Sequence, residues 1–353
     1  MQHLFQKNQA TAGQFLRYFM VLPVALTLLS LSSTALAQEV VTLAKDKVWT
    51  KAGQTELKLD IYKAASTQNK APVLIIYHGG GWLVNTKSIM DSTAQYLAGH
   101  SRLLVVNADY RLLSADGNST TMNQIVEDAL GTVAWVKQHI AEYGGDPSRI
   151  AVTGDSAGGH LAAMVVLSSD KLSQQGFSKG PKGYKPSFIP AGKTAEQLDL
   201  TVQAAVISYG ALDLSSPGFA NFETAENGFW KWGNAEPRGI FGPGISRANN
   251  PEYYAALSPV SLIPDVKVRK LPAQFVHVGS KDQLTTPELA SSYVGKLRAA
   301  GQQAELKIYP GYNHAYLDNG CNEFLGHCFD RDAPVVLNDM IAFLQRELAV
   351  KPH

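Results

Sequence analysis

The chain has few cysteines and no excess of charge of either sign, and both absences restrict its function. Its 353 residues include two cysteines, Cys321 and Cys328, and 31 basic against 30 acidic residues. Proteins that bind nucleic acid usually carry a basic excess, so no nucleic-acid partner is expected. No metal site is expected at the cysteines, because only His327 lies near them and no second ligand pair follows.

Internal repeats, heptads and long apolar runs are absent after residue 37. The rest of the chain is therefore not expected to span a membrane. A hydrophobic content of 45% allows a sizeable core. The composition predicts a globular protein and leaves its oligomeric state open.

The first 37 residues differ from the rest and predict a signal peptide. Lys7 and Arg17 precede the apolar run FMVLPVALTLLSLSSTALA, which ends in the small-x-small triplet Ala35-Leu36-Ala37. Cleavage there would start the mature chain near Gln38 and export it to the periplasm or the medium. The alternative is a membrane anchor, for which the apolar core, interrupted by Pro23, is short.

Export would make the two cysteines candidates for a disulfide, since disulfides persist in oxidising compartments. Cys321 and Cys328 lie in one late segment. Two unpaired thiols are the alternative.

Residues 38–353 alternate between strand and helix patterns, which predicts one α/β domain with a mostly parallel sheet. Alternating apolar and polar residues over 40–64, with a turn at Gly53, predict a hairpin at a sheet edge. The apolar run APVLIIY predicts a strand buried on both faces, and LLVVNA and AQFVHVGS are also predicted as buried strands. Further strands are predicted at RIAVTG, within 201–214 and at AELKIYP. Helices are predicted at 88–98, 121–143, 157–169, 287–300 and 333–349.

Two stretches break this alternation, at 171–200 and 215–256. The first is rich in Gly, Lys, Pro and Ser, and the second is rich in aromatic residues. They are interpreted either as a small lid over the sheet or as ordinary packed loops.

The segment GDSAGG, residues 154–159, predicts a nucleophile elbow, because Gly-x-Ser-x-Gly stands between a strand and a helix. A turn this tight forces Ser156 into a strained backbone conformation, and glycines two residues away on each side remove colliding side chains. The serine hydroxyl would then lie at a helix N-terminus, whose partial positive charge favours an oxyanion.

A nucleophilic serine needs a base and an orienting acid, and both follow in chain order. Asp282 comes just after the strand AQFVHVGS, and His314 comes just after AELKIYP. Asp213, which also follows a strand, is the alternative acid. The remaining histidines are weaker candidates: His277 is expected in the core, His78 and His160 flank the glycine loop and the elbow, and His100, His139 and His327 follow no strand end.

The segment HGGGW, His78 to Trp82, predicts an oxyanion hole. The amides of Gly80 and Gly81, together with that of Ala157, are the predicted donors. Arg111, in the nearby DYR segment, is interpreted as a structural ion-pair partner and not as a catalytic group.

Taken together, HGGGW, NADYRL, GGDPSRIAVTGDSAGGHLAA, GSKD and GYNHAY resemble the α/β-hydrolase fold in its HGGG-type esterase branch, over residues 40 to 350. This branch includes hormone-sensitive-lipase-like carboxylesterases and bacterial feruloyl- or acetylxylan-type esterases. The resemblance implies a triad of Ser156, Asp282 and His314, oxyanion donors Gly80, Gly81 and Ala157, and no cofactor. The cap helices usual in hormone-sensitive-lipase-like members are not predicted, which favours a small-ester or polysaccharide-side-chain enzyme.

The sequence therefore predicts a secreted serine hydrolase that cleaves short-chain, acetyl or feruloyl-type esters, free or linked to carbohydrate. An amidase, arylformamidase or peptidase with the same triad is the first alternative. A binding protein that kept only the fold is the second.

Overall fold

The computed structural model describes residues 39–169 and 198–349. The predicted signal peptide (1–37) and most of the first predicted insertion (171–200) lie outside the described residues. The main strands are Val40–Ala52 (β1), Thr55–Ala64 (β2), Ala71–Tyr77 (β3), Leu104–Ala108 (β4), Gly145–Asp155 (β5), Ala204–Ser208 (β6), Ala273–Gly279 (β7) and Ala304–Tyr309 (β8). A separate short hairpin consists of Cys321–Asn322 (β9) and His327–Cys328 (β10).

Helices occupy most connections between the strands. They are Asp91–Gly99 (α1), Ala115–Asn118 (α2), Met122–His139 (α3), Ala157–Ser168 (α4), Gly228–Trp232 (α5), Pro251–Ala256 (α6), Pro287–Ala299 (α7) and Phe329–Glu347 (α8). Short 3₁₀ turns lie at Lys87–Met90, Ile140–Tyr143, Pro217–Glu223 and Pro259–Ser261. Of the helices described, none is long and apolar enough to cross a membrane.

The main sheet has eight strands in the order β1-β2-β4-β3-β5-β6-β7-β8. The predicted hairpin forms its edge, where β1 pairs with β2 and β2 pairs with β4 in antiparallel fashion. Gly53 turns this hairpin with a φ of +63°, a conformation that glycine adopts without steric cost. All other neighbours in the sheet are parallel.

Burial of the central strands explains why their sequences are apolar throughout. Every residue of β4, β6 and β7 is buried, as are six of the seven residues of β3, because helices cover both faces of a parallel sheet. Since β5, β7 and β8 run in the same direction, the loops that follow them meet at one edge of the sheet. This is the α/β-hydrolase architecture.

Two predicted boundaries were wrong. The last helix begins at Phe329 and not at residue 333, because Asp330 and Asp332 favour an additional N-terminal turn next to the positive end of the helix dipole. The strand predicted within 201–214 covers only Ala204–Ser208.

The aromatic stretch 215–256 contains short helices and packs against the HGGGW loop. The Trp82 ring meets those of Phe219 and Phe222 edge-on, at centroid distances of 6.3 and 5.5 Å. Trp230 and Tyr254 are fully buried within this stretch. The described part of the stretch is therefore anchored to the loop in which the oxyanion hole is predicted.

Candidate active site

Ser156 occupies the sharp corner between β5 and α4, with φ 52° and ψ −114°. Few non-glycine residues adopt a positive φ, and those that do are concentrated at functional sites. The corner is held by main-chain hydrogen bonds: the Ser156 N–H donates to the Ser208 carbonyl at 2.9 Å, and the Ser156 carbonyl accepts from the His160 N–H at 3.1 Å. The surrounding fold therefore imposes the strained conformation.

The glycines around Ser156 are required by space. A Cβ at Gly154 would lie 2.3 Å from the carbonyl oxygen of Gly158, and a Cβ at Gly158 would lie 2.0 Å from that of Tyr77. These oxygens belong to backbone and cannot move aside. The spacing Gly-x-Ser-x-Gly is thus what allows β3, β5 and α4 to approach closely at the elbow.

The structure brings Ser156, His314 and Asp282 into one hydrogen-bonded chain. His314 Nε2 lies 2.9 Å from Ser156 Oγ, and His314 Nδ1 lies 2.7 Å from Asp282 Oδ2. Since the carboxylate only accepts, Nδ1 carries the ring proton and Nε2 is left to accept the hydroxyl proton of Ser156. Asp282 and His314 are 3% and 6% exposed, so little water competes for these bonds.

Asp282 is kept ionised by its partners. Burial alone would raise the pKa of its carboxyl, but the hydrogen bond and charge of His314 and the N–H groups of Leu284 and Thr285 outweigh burial and lower it. Oδ1 accepts from these amides at 2.9 and 3.0 Å. A charged, fixed carboxylate can hold one tautomer of His314 and stabilise an imidazolium.

The predicted oxyanion loop lies at the same edge. Gly80 and Gly81 have φ values of +112° and +59°, and a Cβ at Gly80 would lie 2.3 Å from the Val84 carbonyl oxygen. In the described part of the chain, the N–H groups of Gly80 and Gly81 donate to no backbone carbonyl. Ala157 is the first residue of α4, so its N–H has no partner within the helix.

Comparison with known proteins identifies the family. A family model described as BD-FAE matches residues 59–297, more than half of the chain. The chain belongs to the BD-FAE family. Carboxylesterase NlhH of Mycobacterium tuberculosis is 27% identical over 274 residues, covering 75% of this chain and 73% of that protein. Esterase LipQ of the same organism is 31% identical over 271 residues, covering 75% of this chain and 55% of its own.

A solved structure of esterase 2 from Thermogutta terrifontis, phosphonylated by cyclosarin, has the same fold as this BD-FAE member. Its TM-score is 0.63 at 25% identity, covering 87% of this chain and 96% of that chain. These similarities make the protein a carboxylic ester hydrolase of the α/β-hydrolase fold and of the hormone-sensitive-lipase-like type.

The other histidines of this esterase and the alternative acid lie outside the hydrogen-bonded chain. His277 is buried and bonds Ser208 and Tyr316, as expected of a core residue. Asp213 bonds the main chain and side chain of Ser215 and stays in its own loop. His78, His100, His139 and His160 bond main-chain carbonyls or Glu142, and His327 is in β10.

Sequence analysis missed two residues that support His314. The Thr285 hydroxyl donates to Asp282 Oδ2 at 3.0 Å and also lies 3.3 Å from His314 Nδ1. The Tyr209 ring meets the His314 ring edge-on at a centroid distance of 4.9 Å. The sequence offered two signals for these residues. Thr285 comes three residues after the predicted acid, and Tyr209 comes directly after β6.

In the part of the chain that the structure describes, no group of three or more His, Cys, Asp or Glu side chains is arranged so that it could hold a metal ion. Cys321 and Cys328 form a disulfide that closes the β9–β10 hairpin.

Proposed function

We propose that the protein is an exported serine esterase that cleaves short-chain, acetyl or feruloyl-type esters through Ser156, His314 and Asp282. The observation that carries this proposal is the pair of short contacts from His314, 2.9 Å to Ser156 Oγ and 2.7 Å to Asp282 Oδ2. Such contacts are the geometry that nucleophilic catalysis by serine needs.

In the proposed mechanism, Ser156 Oγ attacks the ester carbonyl carbon while His314 Nε2 takes its proton. The N–H groups of Gly80, Gly81 and Ala157 donate to the oxyanion of the tetrahedral intermediate. His314 then gives its proton to the leaving alcohol, and an acyl-enzyme remains on Ser156. Water, deprotonated by His314, attacks the acyl carbon; His314 then returns the proton to Ser156 Oγ as the bond from Oγ to the acyl carbon breaks, and the acid is released. Asp282 stabilises the imidazolium in both halves of the cycle.

A fluorophosphonate probe tests the covalent part of this proposal. We expect stoichiometric labelling of the mature chain, with the modified peptide containing Ser156. The structural neighbour from Thermogutta terrifontis is phosphonylated by cyclosarin, which supports the choice of probe. A chain that hydrolyses p-nitrophenyl acetate without being labelled, or that is labelled at another residue, contradicts the proposal. The amidase alternative is tested by comparing turnover of an ester and of an amide that carry the same acyl group. Turnover of the ester alone would exclude an amidase.

An aromatic rim beside the oxyanion loop supports the feruloyl-type substrate. A Cβ at Gly81 would lie 3.2 Å from the Phe229 ring, so this ring lies directly over the Gly81 backbone. Trp232 meets Phe229 edge-on at 5.1 Å and is 70% exposed. A large exposed aromatic ring beside the oxyanion loop offers a face against which a phenolic acyl group or a sugar can stack.

Trp232→Ala is expected to raise KM for methyl ferulate by about 2–10-fold, the range that one aromatic contact provides. KM for p-nitrophenyl acetate should change little, because an acetyl group is too small to reach the rim. Steady-state kinetics on both substrates measure the ratio. The matched control is Trp135→Ala, since Trp135, on α3, packs against His139 and against Tyr143 of the following 3₁₀ turn. Equal KM changes for the two esters would eliminate Trp232 as an acyl contact.

Export is proposed from the N-terminal pattern and is supported by the Cys321–Cys328 disulfide, since disulfides are rare in reducing compartments. Expression of the full chain, fractionation and N-terminal sequencing test this. Recovery outside the cytoplasm with an N-terminus near Gln38 is expected, and an uncleaved, membrane-bound chain would favour the anchor.

A further inference from the structure

Two carboxyl groups meet behind the elbow, one at the end of β5 and the other in the loop that carries His314. Asp155, directly before Ser156, is 1% exposed. The side chain of Asp318, four residues after His314, is in hydrogen-bonding contact with the Asp155 side chain. Each carboxyl has a buried Oδ1 that accepts no hydrogen bond from the described chain. Buried polar atoms are seldom left without a partner, and one proton shared by the two groups supplies the missing donor.

Their surroundings indicate which group holds the proton. Burial raises the pKa of Asp155 to about 6, whereas the nearby imidazole of His314 and the Gly79 N–H, which donates to Asp155, favour its ionised form. A Cβ at Gly79 would lie 2.2 Å from Asp155 Oδ2, so backbone and carboxyl touch. The buried Oδ1 of Asp318 accepts no hydrogen bond from the described chain. Burial and the charge of Asp155 both raise the pKa of Asp318 well above its usual range.

We propose that Asp318 donates one shared proton to the Asp155 carboxylate, and that this pair positions His314 and provides a single negative charge beside it. The inference rests on the proposed function, because it assigns the pair a part in that mechanism. The pair joins three segments: Asp155 belongs to the elbow, Gly79 to the oxyanion loop, and Asp318 to the loop that carries His314. Asp155 and Asp318 are thus positioning residues.

Among the residues that the structure describes, the other titratable groups facing the pair are three phenols and one imidazole, namely Tyr110, Tyr209, Tyr316 and His314. Burial raises the pKa of all three phenols well above the usual value, so they stay neutral during turnover. His314 is the group whose charge changes in the proposed reaction, and a negative charge beside it would stabilise the imidazolium that forms during turnover.

Single and double asparagine variants test the shared charge. Asp318→Asn keeps a donor for Asp155, and Asp155→Asn lets Asp318 carry the charge and accept from the amide. Both single variants should therefore keep the acidic limb of the kcat/KM profile near its original pH. The double variant has no negative charge, so its acidic limb should move to lower pH by about one unit and kcat should fall about tenfold. Asp199→Asn, at an exposed ion pair with Lys137, is the control.

A double variant with the wild-type profile would overturn the charge assignment. A full shift in Asp318→Asn alone would overturn the assignment of the proton. A merely structural role would lower stability and activity without moving the acidic limb.

Infrared difference spectroscopy tests the proton without using activity. The wild-type chain at neutral pH should show the carbonyl band of a protonated carboxyl group that Asp318→Asn lacks, and identical spectra would overturn the proposal. If Asp318→Asn does not fold, the pH dependence of the wild-type Tm tests the proposal without a variant. Because the pKa of Asp318 is raised in the folded state, its contribution to stability is full below the unfolded pKa of about 4 and is lost as pH rises from there towards the folded pKa. The wild-type Tm should therefore decline as pH rises above about 4, and a Tm that climbs steadily over that range would contradict the proposal. If the chain hydrolyses no ester but keeps the band, only the proposed function fails.

Discussion

Replacing Ser156 with alanine is expected to lower kcat/KM for p-nitrophenyl acetate by about 10³–10⁶-fold, the range that loss of a serine nucleophile costs. The change removes only the hydroxyl that lies 2.9 Å from His314 Nε2. Alanine keeps the Cβ and therefore the same strained backbone at φ 52°, so the fold should persist. The residual activity should come from binding and from the amides of the oxyanion loop alone.

Ser291→Ala is the matched control for this experiment. Ser291 is exposed on α7, and its hydroxyl donates to the Pro287 carbonyl at 2.7 Å, so it takes no part in the hydrogen-bonded chain of Ser156, His314 and Asp282. Its kinetics should equal those of the wild type, and circular dichroism should show both variants folded. A folded Ser156→Ala protein with turnover near that of the wild type would refute Ser156 as the nucleophile.

The sequence was sufficient to predict the architecture because the relevant signals are local. A continuous apolar run such as APVLIIY can only be a strand buried on both faces, and β3 is one. The elbow was predictable because the glycines of GDSAGG have no other purpose than close approach, as the contacts of Gly154 and Gly158 now show. Asp282 and His314 could be chosen because each follows a strand whose carboxyl end lies at the same edge.

What sequence could not reveal depends on contacts between distant segments. Thr285 contributes only because its loop folds back on Asp282, and a threonine in a polar loop gives no such sign. The contact between Asp155 and Asp318 joins residues far apart in the chain, and an aspartate by itself does not predict a carboxyl partner. The sequence shows that the stretch 215–256 is rich in aromatic residues, but it does not show that Trp82 packs against this stretch.

Asp128→Ala is expected to lower the free energy of unfolding by about 3–5 kcal/mol, because it removes one member of a buried ion pair. The Arg111 guanidinium donates to Asp128 through Nε at 2.8 Å and through Nη2 at 2.7 Å, and the Arg111 N–H adds a bond of 3.0 Å. Both side chains are almost fully buried, at 3% and 0% exposure. The variant leaves the guanidinium buried without its carboxylate.

The exposed pair Lys137–Asp199 is the matched contrast, since Asp199 is 64% exposed. Asp199→Ala should cost at most about 1 kcal/mol, as surface ion pairs do. Urea unfolding at a fixed pH measures both variants. If Asp128→Ala cost no more than Asp199→Ala, the buried pair would have no special role in stability.

The double variant Arg111→Met, Asp128→Leu measures the net contribution of the ion pair to the free energy of unfolding. The single variant Asp128→Ala measures instead the cost of leaving one charged partner buried alone. A buried ion pair replaced by apolar side chains is often neutral in stability or better, so the double variant should recover most of the loss. Activity should follow a different course. The loop that carries Arg111 also supports the HGGGW loop, through the Leu113 N–H bonded to the Trp82 carbonyl at 2.7 Å. If Arg111 serves to orient that loop, the double variant will be stable yet slower in kcat, whereas full recovery of kcat would limit the pair to folding.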